Sequence, residues 1–334
     1  LIQGDFIGNV WDADRFTDHF CCVAIDLFSR LRVIRKILVL FFYMGIGFVC
    51  GKKNIITDDV AKTFSWIVVN IANTALILSA GVSDTKTVTG KALATTFVVA
   101  IGAFFFLILL GCLLVPLLRV PAEDKGVFRV MTIFSNIGFM GFPVISAVYG
   151  EEALLYASIF LFPYNILIYT YGICAMKKEN DGSGKMQWKK ICNAGVIAGI
   201  LSLICYLADV QVPSFVQTAV SGLSGLTAPL SMIVIGQSMV HMQIRDLITD
   251  VRLLIFSIIK LIVIPVCGIL LLRIWIRDSI LLGVCLIMLA TPVGSMTAML
   301  AQQYDGDYML ASKGVSLTTI LSVLTIPLVS AIVM

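Results

Sequence analysis

The chain has 334 residues, of which 59% are hydrophobic and 13% are charged, with a mean hydropathy of +1.00 and a formal net charge of +4. A soluble globular domain carries about 25% charged residues, so this composition excludes that class and indicates an integral membrane protein. Long apolar runs recur without the alternating pattern of an outer-membrane barrel, which predicts an all-α fold. The small positive charge lies in loops and does not suggest nucleic-acid binding.

Residues 1–31 alternate aspartates with aromatic residues and lack the basic start and long apolar centre of a signal peptide. Three interpretations of this N-terminal extension stay open, an upstream read-through, a fragment boundary or a short interfacial segment, and no function is assigned to it. Ten apolar spans are predicted after it, at residues 34–50, 60–82, 91–118, 127–149, 152–175, 191–209, 214–240, 251–273, 279–301 and 308–333. The polar segment 177–190 separates a first repeat, 32–176, from a second, 191–334.

Five spans in each half predict an inverted repeat, because an odd number of crossings places the two halves in opposite orientations. The segments 72–81 and 228–237 support the repeat, since each has a helix disturbance before an apolar run. Lysine and arginine are more numerous on the side of the loop 177–190, so we expect that loop to be cytoplasmic and both termini to lie outside. A basic cluster before the first span favours the opposite orientation, with the N-terminus in the cytoplasm.

Two spans contain helix-breaking residues in their interiors. The fourth reads SNIGFMGFP at 135–143, and the ninth reads ATPVGS at 290–295. Proline removes a backbone hydrogen bond and glycine lowers the cost of unwinding, so both helices are predicted to break. Because lipid does not satisfy freed backbone groups, two such breaks in matching spans predict a transporter's binding site.

The half-helices that begin after the breaks offer unpaired N–H groups and positive dipole ends, which suit a carboxylate. The competing interpretation is that the small polar residues only join helices or repair the breaks. Two lysines inside spans are candidate charge partners for an anion, unless they extend to the membrane surface. The predicted substrate site comprises Asn136, Gly138, Gly141, Pro143, Thr291, Pro292, Ser295 and Thr297, with Lys260 and Lys313 as the charge partners.

Several other features of the sequence limit the mechanism. No aspartate or glutamate lies in the middle of a span, so a proton relay has no visible carrier. Sodium or proton coupling stays open, and no other cofactor, no metal site and no catalytic residue is predicted.

Enzyme motifs such as HExxH, GxSxG and the P-loop are absent from the sequence. The cysteines are interpreted as buried small apolar residues, and Gly222, Gly225 and Gly236 as a helix-packing face.

Three motifs together resemble the auxin efflux carrier family, which is related to the bile acid:sodium symporters. They are NIGFMGFP at 136–143 with VYG at 148–150, the run from APL at 228–230 to Gly236, and the run from ATP at 290–292 to Tyr304. The resemblance covers roughly residues 33–334, and the short central loop is similar to the bacterial branch, which includes malate and malonate permeases. Asn136, Pro143 and Pro292 match the family's crossover residues.

The resemblance implies ten helices in two inverted repeats of five, with the fourth and ninth helices crossing at their breaks. It also implies a scaffold of spans 1, 2, 6 and 7, a transport domain of the other six, elevator-like motion and a homodimer. We therefore expect a permease in the bacterial plasma membrane that moves a small organic anion, a mono- or dicarboxylate such as malate or malonate, by alternating access. Two alternatives stay open: a sodium-coupled symporter of the bile-acid type, and a membrane sensor or binding subunit that does not transport.

Overall fold

The computed structural model describes residues 35–82, 88–176, 193–241, 250–304 and 306–333. Within these ranges every regular element is a helix, and helices lie in each of the ten predicted spans. Among the described residues, six helices are long and apolar enough to cross a membrane, judged by length and composition. The all-α membrane class is confirmed, while the inverted repeat stays a prediction. The extension 1–31 and the loop 177–190 lie outside the described residues.

We number the helices by span and use a and b for the two parts of an interrupted one. They are α1 (35–52), α2 (Asp58–Val82), α3 (Gly90–Leu117), α4a (Lys125–Ile133), α4b (Ile137–Tyr149), α5 (Ala153–Met176), α6 (Ala194–Leu207), α7 (Ser214–Ser238), α8 (Val251–Trp275), α9a (Ser279–Ala290), α9b (Met296–Gln303) and α10 (Tyr308–Val333).

Polar residues fix where several helices begin. The side chain of Asp250 accepts hydrogen bonds from the first amides of α8, and Asp278 does the same for α9a. Thr89 and Asn193 cap α3 and α6 in the same way. These side chains satisfy N–H groups that have no partner inside the helix. The apolar runs therefore end in caps that suit the aqueous edge of a membrane.

The helices form two groups that are in contact with each other. In the first group, α2 packs against α6 and α7, and α7 also packs against α1. In the second group, α3, α5, α8 and α10 surround the interrupted helices α4 and α9. The groups meet mainly where α5 contacts α6 and α2, and where α7 contacts the start of α4b. This division coincides with the scaffold and transport sets that the resemblance implies, while movement between them stays a prediction.

Glycine allows α1 and α7 to approach with their backbones in contact. A Cβ atom on Gly236 would overlap the carbonyl oxygen of Met44, and one on Gly47 would overlap that of Ile233. The contact is reciprocal, since each helix supplies one glycine and one carbonyl. Gly236 thus has the packing role that the sequence predicts, whereas Gly222 has open space around it.

The cysteines correct one expectation. All six in the described residues are free, and of these Cys285 is buried, whereas Cys112, Cys174 and Cys267 are exposed on the outer surface of the bundle. The outside of a membrane protein faces lipid, which is as apolar as the core. A small apolar residue is therefore suited to either place, and hydropathy does not distinguish them.

We expect Gly236→Ala to lower the melting temperature of the purified protein in detergent, because the new methyl group forces α1 and α7 apart. Overpacking of this kind costs about 1–3 kcal/mol. Gly222→Ala is the matched control on the same helix, where alanine is favoured over glycine by about 1 kcal/mol and no contact opposes it. Equal stability of Gly236→Ala and the wild type would contradict the close contact.

Candidate substrate site at the helix crossover

The two interrupted helices meet at their breaks. Extended backbone follows α4a and α9a, and the two stretches pair as an antiparallel bridge between Ser135 and Val293. The amide of Asn136 donates to the carbonyl of Pro292 at 2.7 Å, and the amide of Gly294 donates to the carbonyl of Phe134 at 2.9 Å. Each break therefore satisfies backbone groups that the other has freed, as a buried backbone requires.

Asn136 is the N-cap of α4b. Its side-chain Oδ1 accepts the amide of Phe139 at 3.2 Å, and its carbonyl accepts the amides of Met140 and Gly141. The expectation of unpaired amides at this helix start is therefore wrong for Phe139, whose partner is the Asn136 side chain. The side chain is nearly buried, and capping uses its Oδ1 atom and leaves its Nδ2 donor free of the cap.

Proline and glycine shape the first turn of α4b. Pro143 follows a wide π-type turn, Ile137–Gly141, and lies in the first turn of regular α-helix, where a missing N–H is tolerated. The carbonyl of Gly138 faces α2 and accepts a hydrogen bond of 3.0 Å from Asn73 Nδ2. Gly141 has space for a methyl group, so close packing does not require a glycine there.

Asn73 is a site residue that the sequence analysis did not identify. It joins the first group of helices to the crossover, and its Oδ1 atom is buried without a hydrogen bond to any described residue. A buried amide oxygen without a partner is costly, and such groups often mark functional sites. An asparagine in the interior of an apolar span was the signal that could have found it.

The residues of the second break have different environments. Thr291 is buried and donates to the carbonyl of Met288 at 3.0 Å, which fits the interpretation that it repairs the helix end. Ser295 is exposed at the start of α9b and makes no capping bond with its side chain. Thr297 is buried, and its hydroxyl has no partner among the described residues. Pro292 contributes its carbonyl to the bridge.

Helix α10 supports both breaks with hydroxyl groups. Thr318 Oγ1 accepts the amide of Val293 at 3.1 Å and donates to the carbonyl of Gly314 at 2.7 Å. Ser322 Oγ lies 3.7 Å from the sulfur of Met140, next to the first break. Sequence reasoning missed both residues. Their spacing of four along an apolar span was the available signal, because it places two hydroxyls on one helix face.

Lys260 lies at the crossover and does not extend to the membrane surface. Its side chain is 0% exposed, and Nζ donates to the carbonyl of Thr132 and to Ser135 Oγ, both at 2.8 Å. It belongs to a π-type turn, Ile259–Val263, which precedes Pro265. The proline ring clashes with the carbonyl four residues earlier, and the wider turn gives it room. Lys313 is half-buried and has no hydrogen bond to the crossover among the described residues.

No carboxylate among the described residues neutralises Lys260. The described acidic residues lie at helix ends or in connections, namely Asp58, Asp59, Glu123, Asp124, Glu151, Glu152, Asp209, Asp250, Asp278 and Asp307. A lysine at the centre of a membrane helix costs about 2.5–3.5 kcal/mol on insertion scales. Two hydrogen bonds to oxygen atoms offset part of that cost, and the crossover keeps an excess of positive charge.

A small cavity beside the crossover does not suit a carboxylate. It lies between α3, α5, α8 and α9a, and its lining is apolar apart from Ser135 and Cys285. A carboxylate placed there would lose its hydration without gaining enough hydrogen bonds. The N-terminal ends of α4b and α9b, where Asn136 and Ser295 are the N-cap residues, stay the predicted place for a carboxylate.

The fold and the crossover define a multi-pass all-α membrane protein of the transport class. The chain matches the family model described as membrane transport protein over residues 32–330. It belongs to this family, the auxin efflux carriers, so the resemblance seen in the sequence is confirmed.

Relatives at low identity cover most of the chain. An uncharacterized transporter of Methanocaldococcus jannaschii is 26% identical over 87% of this chain and 96% of its own length. An uncharacterized transporter of Methanothermobacter thermautotrophicus is 22% identical over 86% of this chain and 94% of its own length. The lysosomal cholesterol signaling protein of mouse is 24% identical over 71% of this chain, which corresponds to 29% of that protein.

We expect Thr318→Val to destabilise the protein, because the buried amide of Val293 would lose its acceptor. Leaving such a donor unsatisfied costs about 1–3 kcal/mol. Thr325→Val is the matched control on α10, since the Thr325 hydroxyl is buried without a partner among the described residues and its removal should not destabilise the protein. Thermal unfolding in detergent measures both. A loss of stability in Thr325→Val equal to that in Thr318→Val would refute the specific role of Thr318.

Proposed function

We propose that this protein is a secondary transporter that moves a small organic anion, a mono- or dicarboxylate such as malate or malonate, by alternating access at the crossover. The observation that carries the proposal is the pairing of the two breaks through Asn136 and Pro292. This antiparallel pairing places the start of α4b beside α9a and the start of α9b beside α4a, in the interior of the bundle. Membership of a transport family supports the general class, and the site supports the choice of an anion.

The charge distribution favours a negative substrate. The N-terminal ends of α4b and α9b carry the positive ends of their helix dipoles. Asn136 and Ser295 are the N-cap residues of these two helices, and the Asn136 amide and the Ser295 hydroxyl can act as hydrogen-bond donors. In its protonated form Lys260 adds a positive charge behind the bridge, and no acidic side chain of the described residues is bonded to it. The positive dipole ends and the Lys260 ammonium would oppose a cationic substrate at the starts of α4b and α9b.

The contacts between the two helix groups suggest how the substrate crosses. Asn73 holds the carbonyl of Gly138 by one hydrogen bond, and α7 packs against the start of α4b. An elevator-like displacement of the second group would break these contacts and re-form others at a different depth. The two conformations would then open the crossover to opposite sides of the membrane, which is the requirement for alternating access.

The proposed membrane, oligomeric state and orientation are those predicted from the sequence. The protein would lie in the bacterial plasma membrane as a homodimer, with the loop 177–190 in the cytoplasm and both termini outside. A second candidate function is a membrane sensor that binds a ligand without transporting it. The mouse relative is named as a signaling protein, which favours this candidate. Flux measurements separate the two, since a sensor binds its ligand without net uptake.

Replacing Asn136 tests the site directly. We expect Asn136→Ser to keep the fold, because serine also caps a helix, and to reduce saturable uptake of malate or malonate into proteoliposomes about tenfold or more. The reason is that the variant lacks the amide donor, and a hydrogen bond to a charged group contributes about 1.5–3 kcal/mol.

Asn70→Ala is the control for this experiment. Asn70 lies on α2, where its side chain bonds the carbonyl of Trp66 away from the crossover, so uptake should be unchanged. Asn136→Ala adds the loss of the cap and should lower both uptake and stability. Wild-type uptake rates in a folded Asn136→Ser variant would rule out Asn136 as a substrate ligand.

A thermal-shift experiment tests the substrate class without requiring transport. A carboxylate that binds the folded protein at 100 times its dissociation constant stabilises it by about 2.7 kcal/mol, which raises the melting temperature. We expect small mono- or dicarboxylates to give this shift, and amines of the same size to give none. A shift with amines but not with carboxylates would reverse the proposed sign of the substrate charge.

A further inference from the structure

We propose that the ammonium group of Lys260 is a tethered cation that takes the place of a coupling sodium ion at the crossover, so that anion transport by this protein requires no sodium. The inference rests on the proposed function and decides against its sodium-coupled form.

The ligands of Lys260 are the kind that a sodium ion uses. Nζ lies 2.8 Å from a backbone carbonyl, that of Thr132, and 2.8 Å from a hydroxyl, that of Ser135. Both are oxygen atoms without charge, and both are buried. In transporters with interrupted helices, unwound carbonyls and the C-terminal ends of half-helices bind the coupling sodium or proton. The Lys260 ammonium is placed against such an end.

The half-helix α4a explains why a cation is needed there. It ends at Ile133, and the carbonyls of its last turn have no partner inside the helix. The carbonyl of Val130 accepts the amide of Phe134, and that of Thr132 accepts Lys260. The negative end of the helix dipole points in the same direction, so a positive charge at this position is favourable. Lys260 supplies that charge from another helix, α8.

A sodium ion and Lys260 would exclude each other. An ion bound to Thr132 and Ser135 would lie within a few ångströms of Nζ, where two positive charges repel strongly in a low-dielectric interior. None of the described residues offers a carboxylate to offset the pair. When Lys260 is protonated, its ammonium group takes the place of the cation, and its positive charge is left for the anionic substrate to balance.

At the second break no lysine of the described residues bonds the end of the first half-helix, so the contact made by Lys260 is specific to the end of α4a. The C-terminal end of α9a is closed by Thr291, which donates to the carbonyl of Met288. The span that corresponds to α8 in the first predicted repeat is α3, whose one lysine, Lys91, lies in its first turn. Among the described residues, Lys260 is thus the lysine that bonds the C-terminal end of a half-helix at the crossover. Its charge would move with α4 and α9 in the proposed transport cycle.

The test measures the response of the purified protein to sodium. Thermal unfolding is compared in sodium chloride and in potassium chloride at equal ionic strength, for the wild type, Lys260→Ala and the double variant Lys260→Ala with Ser135→Ala. We expect no sodium-specific shift in the wild type. In Lys260→Ala the freed oxygens should bind sodium and raise the melting temperature by about 2 °C or more. The double variant should lose that shift, because it lacks the Ser135 hydroxyl.

Two results would overturn the inference: a sodium-specific shift in the wild type, or none in folded Lys260→Ala. If Lys260→Ala does not fold, Lys260→Gln removes the charge with less loss of volume and should gain the sodium response, and its failure to do so counts equally against the inference. The readout needs no transport. If wild-type proteoliposomes take up no mono- or dicarboxylate, the proposed function fails alone, whereas sodium-dependent uptake by the wild type would overturn the tethered cation and leave an anion carrier.

Discussion

The hydrogen-bonded bridge between residues 134–136 and 292–294 is the constraint on which the rest of the structure depends. A helix that unwinds inside lipid exposes amides and carbonyls that water cannot reach, at a cost of several kcal/mol for each unpaired group. Neither break is stable alone, because its freed groups need partners. Each supplies partners to the other, so the two interrupted helices have to lie together, and the remaining helices are arranged around that pair.

The polar residues of the neighbouring helices follow from the same requirement. Asn73, Lys260 and Thr318 come from three different helices, and each bonds a backbone group at or beside a break. The atoms that stabilise the crossover therefore also determine its charge and its remaining hydrogen-bonding capacity. This is why a buried lysine without a carboxylate partner among the described residues, which is unfavourable for stability alone, is consistent with a function that needs positive charge.

The contacts within and between the helix groups differ in kind. Within the first group, Gly47 and Gly236 bring the backbones of α1 and α7 into contact, which fixes the distance between these two helices. Between the groups, one of the contacts at the crossover is a single hydrogen bond, from Asn73 to Gly138. A hydrogen bond can be exchanged for another at small net cost, whereas an interlocked glycine contact cannot shift without separating the helices. The proposed movement is therefore placed between the groups.

The sequence by itself determined the membrane class, the positions of the spans and the locations of both breaks, because hydropathy, proline and glycine act over a few neighbouring residues. It also carried the family motifs. Only the tertiary structure decided that the breaks pair and that Lys260 is buried against Ser135, which is 125 residues away in the chain. Which faces of the helices meet lipid and which meet protein was likewise beyond hydropathy, since both surroundings are apolar. Contacts across such distances depend on which helices become neighbours, and local residue patterns do not contain that information.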